Sequence, residues 1–175
     1  MTQLQADLNQ LSLLIDLEQW SEAEGLWPTL VSKINLSPSR SAIYTELNFA
    51  KSLTQLMQLG EPQGNGIAAK QTIKAIPTSG EIDSILVKAV QQADGLNDAI
   101  AKSYALGQRG ELYEATKKWS AAQDFTQKAL QLTTTNAYPD GRYRWQWQQG
   151  RLLNKQHKRD EAIAAYGAAV ETLEG

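Results

Sequence analysis

The sequence predicts an all-α chain built from helix-turn-helix repeats, and three observations carry that prediction. A segment returns at a fixed step of 40 residues, apolar residues fall at three- and four-residue spacing, and glycine and proline collect between the periodic stretches. Ala89, Ala129 and Ala169 stand 40 residues apart, as do Val90, Leu130 and Val170, and Gly110 keeps the same step to Gly150. A more distant echo pairs WSEAE at 20–24 with WSAAQ at 119–123. No stretch alternates in the manner of a strand.

In chain order, the periodicity predicts helices over 3–17, 20–35, 38–58, 81–93, 97–117, 119–133, 141–156 and 160–173. Ser21 with Glu24 reads as a capping box for the second, and Pro28 should kink or split it. Ser37-Pro38 reads as the start of the third, because proline at the first helical position sacrifices no needed hydrogen bond. Residues 60–79 hold Gly60, Pro62, Gly64, Gly66, Pro77 and Gly80 and read as an insertion, with a turn at Gly64-Asn65-Gly66 and a short helix at 67–75. Thr78 with Glu81 can cap the next helix. In 119–133, Ala122, Phe125, Ala129, Leu130 and Leu132 trace one face, and Ser120 with Gln123 suggests a further box. Pro139-Asp140-Gly141 reads as a turn, and Asp160 as the cap of the last helix.

Composition excludes several kinds of chemistry. With 175 residues the chain suits one domain or one array. Seventeen basic against 19 acidic residues leave a net charge of −2, which draws in neither nucleic acid nor anionic lipid. Without cysteine there is no disulfide, thiolate nucleophile or sulfur-ligated metal, and one histidine cannot form a paired-histidine site. His157 falls in a turn beside Lys158, with no acid or nucleophile near it in sequence. The apolar runs are too short to span a bilayer, and residues 1–19 lack a secretory pattern, so a non-enzymatic, cytoplasmic protein without metal or cofactor is expected.

The segment SYALGQRGELYEATKKWSAAQDFTQKALQLT at 103–133 resembles a tetratricopeptide repeat. Gly110 fills the small position where the two helices cross, Tyr113 the aromatic one turn later, Trp119 the bulky turn position, and Ala122 and Ala129 the small seam of the second helix. Residues 143–173 match at Gly150, Leu153, Ala162, Tyr166 and Ala169. Residues 4–36 match through Leu11, Leu14, Trp20, Ala23 and Trp27, and 43–57 with 81–93 supply a further pair. The resemblance covers about three quarters of the chain. Its step of 40 exceeds the family's usual length of about 34, the excess falling around Thr133–Asp140. Gln146 and Gln149 are polar where the family is apolar. The run ALGQRGELYEATKKWSAAQDFTQKALQL followed by RWQWQQGRLLN is also similar to the repeat region of bacterial CHAT-domain proteins, in which such repeats precede a caspase-like protease domain. No such domain lies within these residues, and the sequence stops at Gly175 where a last helix ends, so the chain reads as a fragment of a longer protein.

The resemblance implies one array over 1–175, with helix pairs at 3–35, 38–93 (interrupted at 60–79), 97–133 and 141–173, wound into a right-handed superhelix. The first helix of each pair would line a groove for a peptide or partner protein. By that register Tyr104, Glu111, Arg144, Trp147, Gln148, Arg151, Asn154 and Lys155 are groove positions. Six cations and no acid lie between Arg142 and Arg159, so an acidic or C-terminal peptide is the expected ligand. The same cations could instead pair with Glu111 and Glu114 of the preceding repeat. Asn9, Asn48 and Lys51 on earlier first helices, completed by the basic residues of the last one, would make a loose analogue of a carboxylate clamp, but Gly107, Glu111 and Glu114 interrupt the charge, so a chaperone tail is not the expected ligand. Two rival readings remain: homodimerisation by stacking of the array's ends, and single-stranded nucleic-acid binding at Arg142–Arg159, which the overall charge disfavours.

Overall fold

Among the described residues, eight helices follow one another: α1 (Gln3–Asp16), α2 (Trp20–Lys33), α3 (Arg40–Gly60), α4 (Ser79–Gly95), α5 (Ala99–Ala115), α6 (Trp119–Gln131), α7 (Pro139–Lys155) and α8 (Arg159–Glu174). The computed structural model describes residues 2–60, 74–133 and 139–175, and among these all regular structure is helical. Each helix overlaps the span its periodicity predicts. The turn at Gly64-Asn65-Gly66, most of the short helix at 67–75 and most of the connection after Thr133 lie outside the described residues.

One turn recurs four times. Glu18, Asn97, Lys117 and His157 have φ of 57°, 52°, 58° and 61°, and each stands one residue before an N-cap. The amide of that N-cap donates back to the preceding helix six-to-one: Gln19 to Leu14 (2.8 Å), Asp98 to Ala93, Lys118 to Tyr113 and Lys158 to Leu153 (each 2.9 Å). This left-handed closure ends one helix and starts the next with three residues between them, so neighbours are forced into tight hairpins. Glycine is the usual occupant of such a position, and its absence hid the turn from sequence inspection.

Helix starts divide between confirmed and corrected. Thr78 and Glu81 form the reciprocal capping box: the Thr78 amide donates to Glu81 Oε2 (2.8 Å) and the Glu81 amide to Thr78 Oγ1 (3.2 Å). Ser120 and Ser21 do not cap, because α6 and α2 already begin at Trp119 and Trp20. Glu24 instead accepts from the amides of Lys74 (2.9 Å) and Ala75 (2.6 Å). α3 starts at Arg40 under the Ser39 hydroxyl, which accepts from the Ala42 amide (3.0 Å). Pro139-Asp140-Gly141 is the first turn of α7, with proline at the position where a missing amide costs nothing. Asp160 lies inside the first turn of α8, where it meets the positive helix end, and Lys158 is the N-cap. Pro28 does not split α2. It is exposed, so the Glu24 carbonyl deprived of a donor can turn to water.

The chain divides into two compact units, Met1–Ile85 and Leu86–Gly175, the division falling within α4. In the first, Leu11 and Ile15 of α1, Ala23, Trp27 and Leu30 of α2, and Ile43, Leu47 and Leu53 of α3 are buried. The Trp27 indole nitrogen donates to the Ala75 carbonyl (3.0 Å), which with Glu24 fastens residues 74–75 onto α2.

In the second unit the 40-residue step becomes a repeated packing geometry. A Cβ on Gly110 would lie 2.6 Å from Thr126 Oγ1, and one on Gly150 2.5 Å from the Tyr166 ring, so both glycines let a second helix close on a first. Thr126 and Tyr166 are themselves 40 apart. Tyr113 stacks on Phe125 with centroids 5.3 Å apart. Leu153 packs against Ala162, Ala165 and Tyr166. Successive first helices meet where Trp145 of α7, fully buried, fills the space above Gly107 of α5, whose Cβ would overlap the indole. The Trp145 indole nitrogen donates to Ser103 Oγ (3.0 Å), and that hydroxyl donates on to the Ala129 carbonyl (2.8 Å). Burial of an indole of this kind is worth about 3–5 kcal/mol against alanine.

Candidate functional site

Two pairs of first helices present candidate binding faces: α5 with α7 in the second unit, and α1 with α3 in the first.

On the α5/α7 face, helical spacing leaves Arg144, Trp147, Arg151 and Asn154 on the outer stripe of α7, because Trp145, Gln148 and Leu152 take the inner one. Gln148 is therefore not a groove residue. It is 1% exposed, and its amide donates to Thr126 Oγ1 (2.7 Å) and the Gly107 carbonyl (3.1 Å). A glutamine among apolar positions looks surface-facing in sequence, but here it satisfies a carbonyl and a hydroxyl enclosed between three helices.

Of the remaining predicted residues, Arg144 meets Tyr104, while Arg151 and Trp147 turn to neighbours outside the predicted set. Arg144 lies 5.9 Å from the Tyr104 ring and 5.6 Å from that of Trp145, within cation–π range. Arg151 donates through Nε (3.1 Å) and Nη2 (2.9 Å) to both carboxylate oxygens of Glu114. The internal register places Arg151 opposite Glu111 and Asn154 opposite Glu114, so the fork is shifted by one turn. Burial weakens the charged form of Arg151, but the Glu114 hydrogen bonds and the charges of Glu114 and Glu111 outweigh it, and its pKa is raised from the ordinary arginine value. Its guanidinium is thus engaged within the fold. Trp147, 44% exposed, is directed to α8, its ring centroid 4.8 Å from that of Tyr166. Asn154 and Lys155 are exposed near the end of α7, and Glu111 is half-buried on α5.

The α1/α3 pair leaves an open groove of about 350 Å³. Gln5, Asn9, Ser12 and Asp16 line it from α1, and Thr45, Asn48, Ser52 and Gln55 from α3, each set at the spacing of one helical face. Leu8 and Phe49, both buried, form its apolar floor. The wall is partly braced: Gln5 Nε2 donates to Asn9 Oδ1 (3.1 Å), and the Thr45 hydroxyl donates to Gln5 Oε1 (3.3 Å). Asn48 and Lys51 are exposed on the α3 side. Asn9, Asn48 and Lys51, weighed in the sequence as clamp residues, therefore share one groove. What sequence reasoning missed is the groove's extent. Its signal was available: amides and hydroxyls recur at helical spacing on facing sides of two successive first helices.

Among the described residues, no group of three or more His, Asp or Glu side chains is gathered to hold a metal ion, and no helix is long and apolar enough to cross a membrane. The chain matches no known protein-family model and no curated relative.

Proposed function

We propose that this protein is a non-enzymatic helical-repeat scaffold that binds an extended peptide segment of a partner protein in the α1/α3 groove. One observation carries the reading: two adjacent first helices line a polar concavity of about 350 Å³ over an apolar floor, with Asn9, Asn48 and Lys51 on its walls. Amide side chains can bond a peptide backbone in both directions, and the Lys51 ammonium supplies a charge for a carboxylate. An acidic side chain or a chain terminus fits that chemistry, as expected for α7, but on different helices. In this reading the helix pairs continue the tetratricopeptide pattern as a right-handed superhelix with its first helices facing the ligand. By the same resemblance the scaffold would recruit substrates to, or regulate, a caspase-like protease domain.

The reading is tested with an array of acidic hexapeptides carrying free C-terminal carboxylates, probed beside the same peptides amidated. Retention of the protein on acidic, free-carboxylate spots, reduced at least tenfold by Lys51→Glu with Asn48→Ala, is expected. Equal retention by both substituted and parent protein would remove the groove from consideration.

A further inference from the structure

A second surface, independent of the groove, is marked by apolar side chains that none of the described residues covers. Ile163, Val170 and Leu173 of α8 are 64%, 45% and 59% exposed, and Tyr166 is half-buried between them. These four fall at i, i+3, i+7 and i+10, which is one stripe along the helix. Gly167 beside the stripe has open space where a Cβ would stand.

The internal repeat says what such a stripe does. Forty residues earlier, the same positions are Gln123, Thr126 and Leu130 of α6 and Thr133 just beyond its end. They face α7 and the residue just past its end, with α7 running antiparallel. Gln156 Nε2 donates to Gln123 Oε1 (2.9 Å), and Gln148 to Thr126 (2.7 Å). Leu130 packs against the buried cluster of Leu106, Ala129 and Trp145, and Thr133 lies beside Gly141. This stripe is thus the seat of a helix, and its α8 counterpart replaces a glutamine and two threonines with isoleucine, tyrosine and leucine. It is the more apolar of the two seats, and it is exposed.

Charge narrows the occupant. α7, the helix seated on α6, carries Arg142, Arg144, Arg151 and Lys155 against Asp140 alone. α8 carries Asp160, Glu161, Glu171 and Glu174 against Arg159 alone. A second copy pairing α8 with α8 would oppose carboxylates along the seam, whereas a helix of α7's sign would meet complementary charge. We propose that the Ile163–Leu173 face of α8 docks a basic amphipathic helix of a partner protein, laid antiparallel along α8 as α7 lies along α6. The apolar stripe supplies affinity by burial, and the carboxylates at both ends select lysine- and arginine-flanked seams.

Two idealised fluorescein-labelled helical peptides test this on the full chain, one with a leucine seam flanked by lysines and one with the same seam flanked by glutamates. Fluorescence anisotropy should show the lysine peptide binding at least tenfold more tightly than the glutamate peptide, with the preference shrinking as salt rises. The double variant Ile163→Glu with Leu173→Glu replaces exposed side chains, so its helical circular dichroism should match the parent while lysine-peptide binding falls at least tenfold. Equal binding of the two peptides, or binding unaffected by the double variant, would overturn the proposal. So would sedimentation showing a parent dimer that the double variant dissolves, since a second copy would then occupy the face. None of these results depends on the α1/α3 groove, whose test uses different residues and a different probe.

Discussion

The α1/α3 and α5/α7 pairs are both successive first helices, yet one leaves a groove and the other closes. Between α5 and α7 a buried indole sits over a glycine, a buried glutamine joins two helices, and the outer arginines turn to Tyr104 and Glu114. Between α1 and α3 the facing side chains are amides, hydroxyls, the Asp16 carboxylate and the Lys51 ammonium over an apolar floor, and about 350 Å³ stays open. The difference teaches that residue type at the facing positions, more than repeat register, decides whether adjoining first helices form a binding surface or a core. A cationic stripe is a poor guide when acids one repeat earlier can reach it, because an internal pair forms without the entropy cost of association.

The comparison is broken most severely by removing the indole. Trp145→Ala should cost about 3–5 kcal/mol and lower the melting temperature by roughly 10 °C, opening α5/α7 toward the state of α1/α3. Adding Gly107→Leu should recover part of that loss, since the new side chain occupies the vacated space, and a double-variant melt below the single would contradict the pairing. Gly150→Leu should cost about 1–3 kcal/mol by thermal denaturation. The smaller loss reflects Tyr166, a half-buried ring that can swing aside. Arg151→Glu sets a third carboxylate beside Glu111 and Glu114 and should destabilise by about 1–2 kcal/mol, less at high salt. Lys51→Glu in the open groove should stay within about 0.5 kcal/mol of the parent, because that side chain is exposed. A small effect of the opposite sign is expected at the hairpin turns. Lys117→Gly and His157→Gly relieve left-handed backbone at φ 58° and 61° and should each raise stability by a few tenths to about 1 kcal/mol in chemical denaturation.

Much of the architecture could be read before any coordinates. Helix positions followed from apolar spacing, because an amphipathic face declares itself within about 11–18 residues. The 40-residue step located Gly110 and Gly150 at helix crossings, where any side chain larger than hydrogen meets Thr126 or Tyr166. Cap assignments failed at Ser21, Ser120 and Asp160 for one reason: the left-handed turns at Glu18, Lys117 and His157 begin the following helix early, placing those residues inside it. The site residues were less legible. Gln148 and Arg151 look like surface chemistry from their types, and only their neighbours reveal that one is core and the other is paired.

The amino-acid sequence by itself determined the helical class, the eight segments and the small residues that let hairpins close, since all of these depend on neighbours a few residues apart or on one repeated step. The tertiary structure alone decided which polar side chains meet each other, which meet solvent and which apolar stripe stays bare. Those outcomes depend on the registration of side chains tens of residues apart, where a shift of one turn exchanges Glu111 for Glu114 as the partner of Arg151 and local patterning carries no record of the choice.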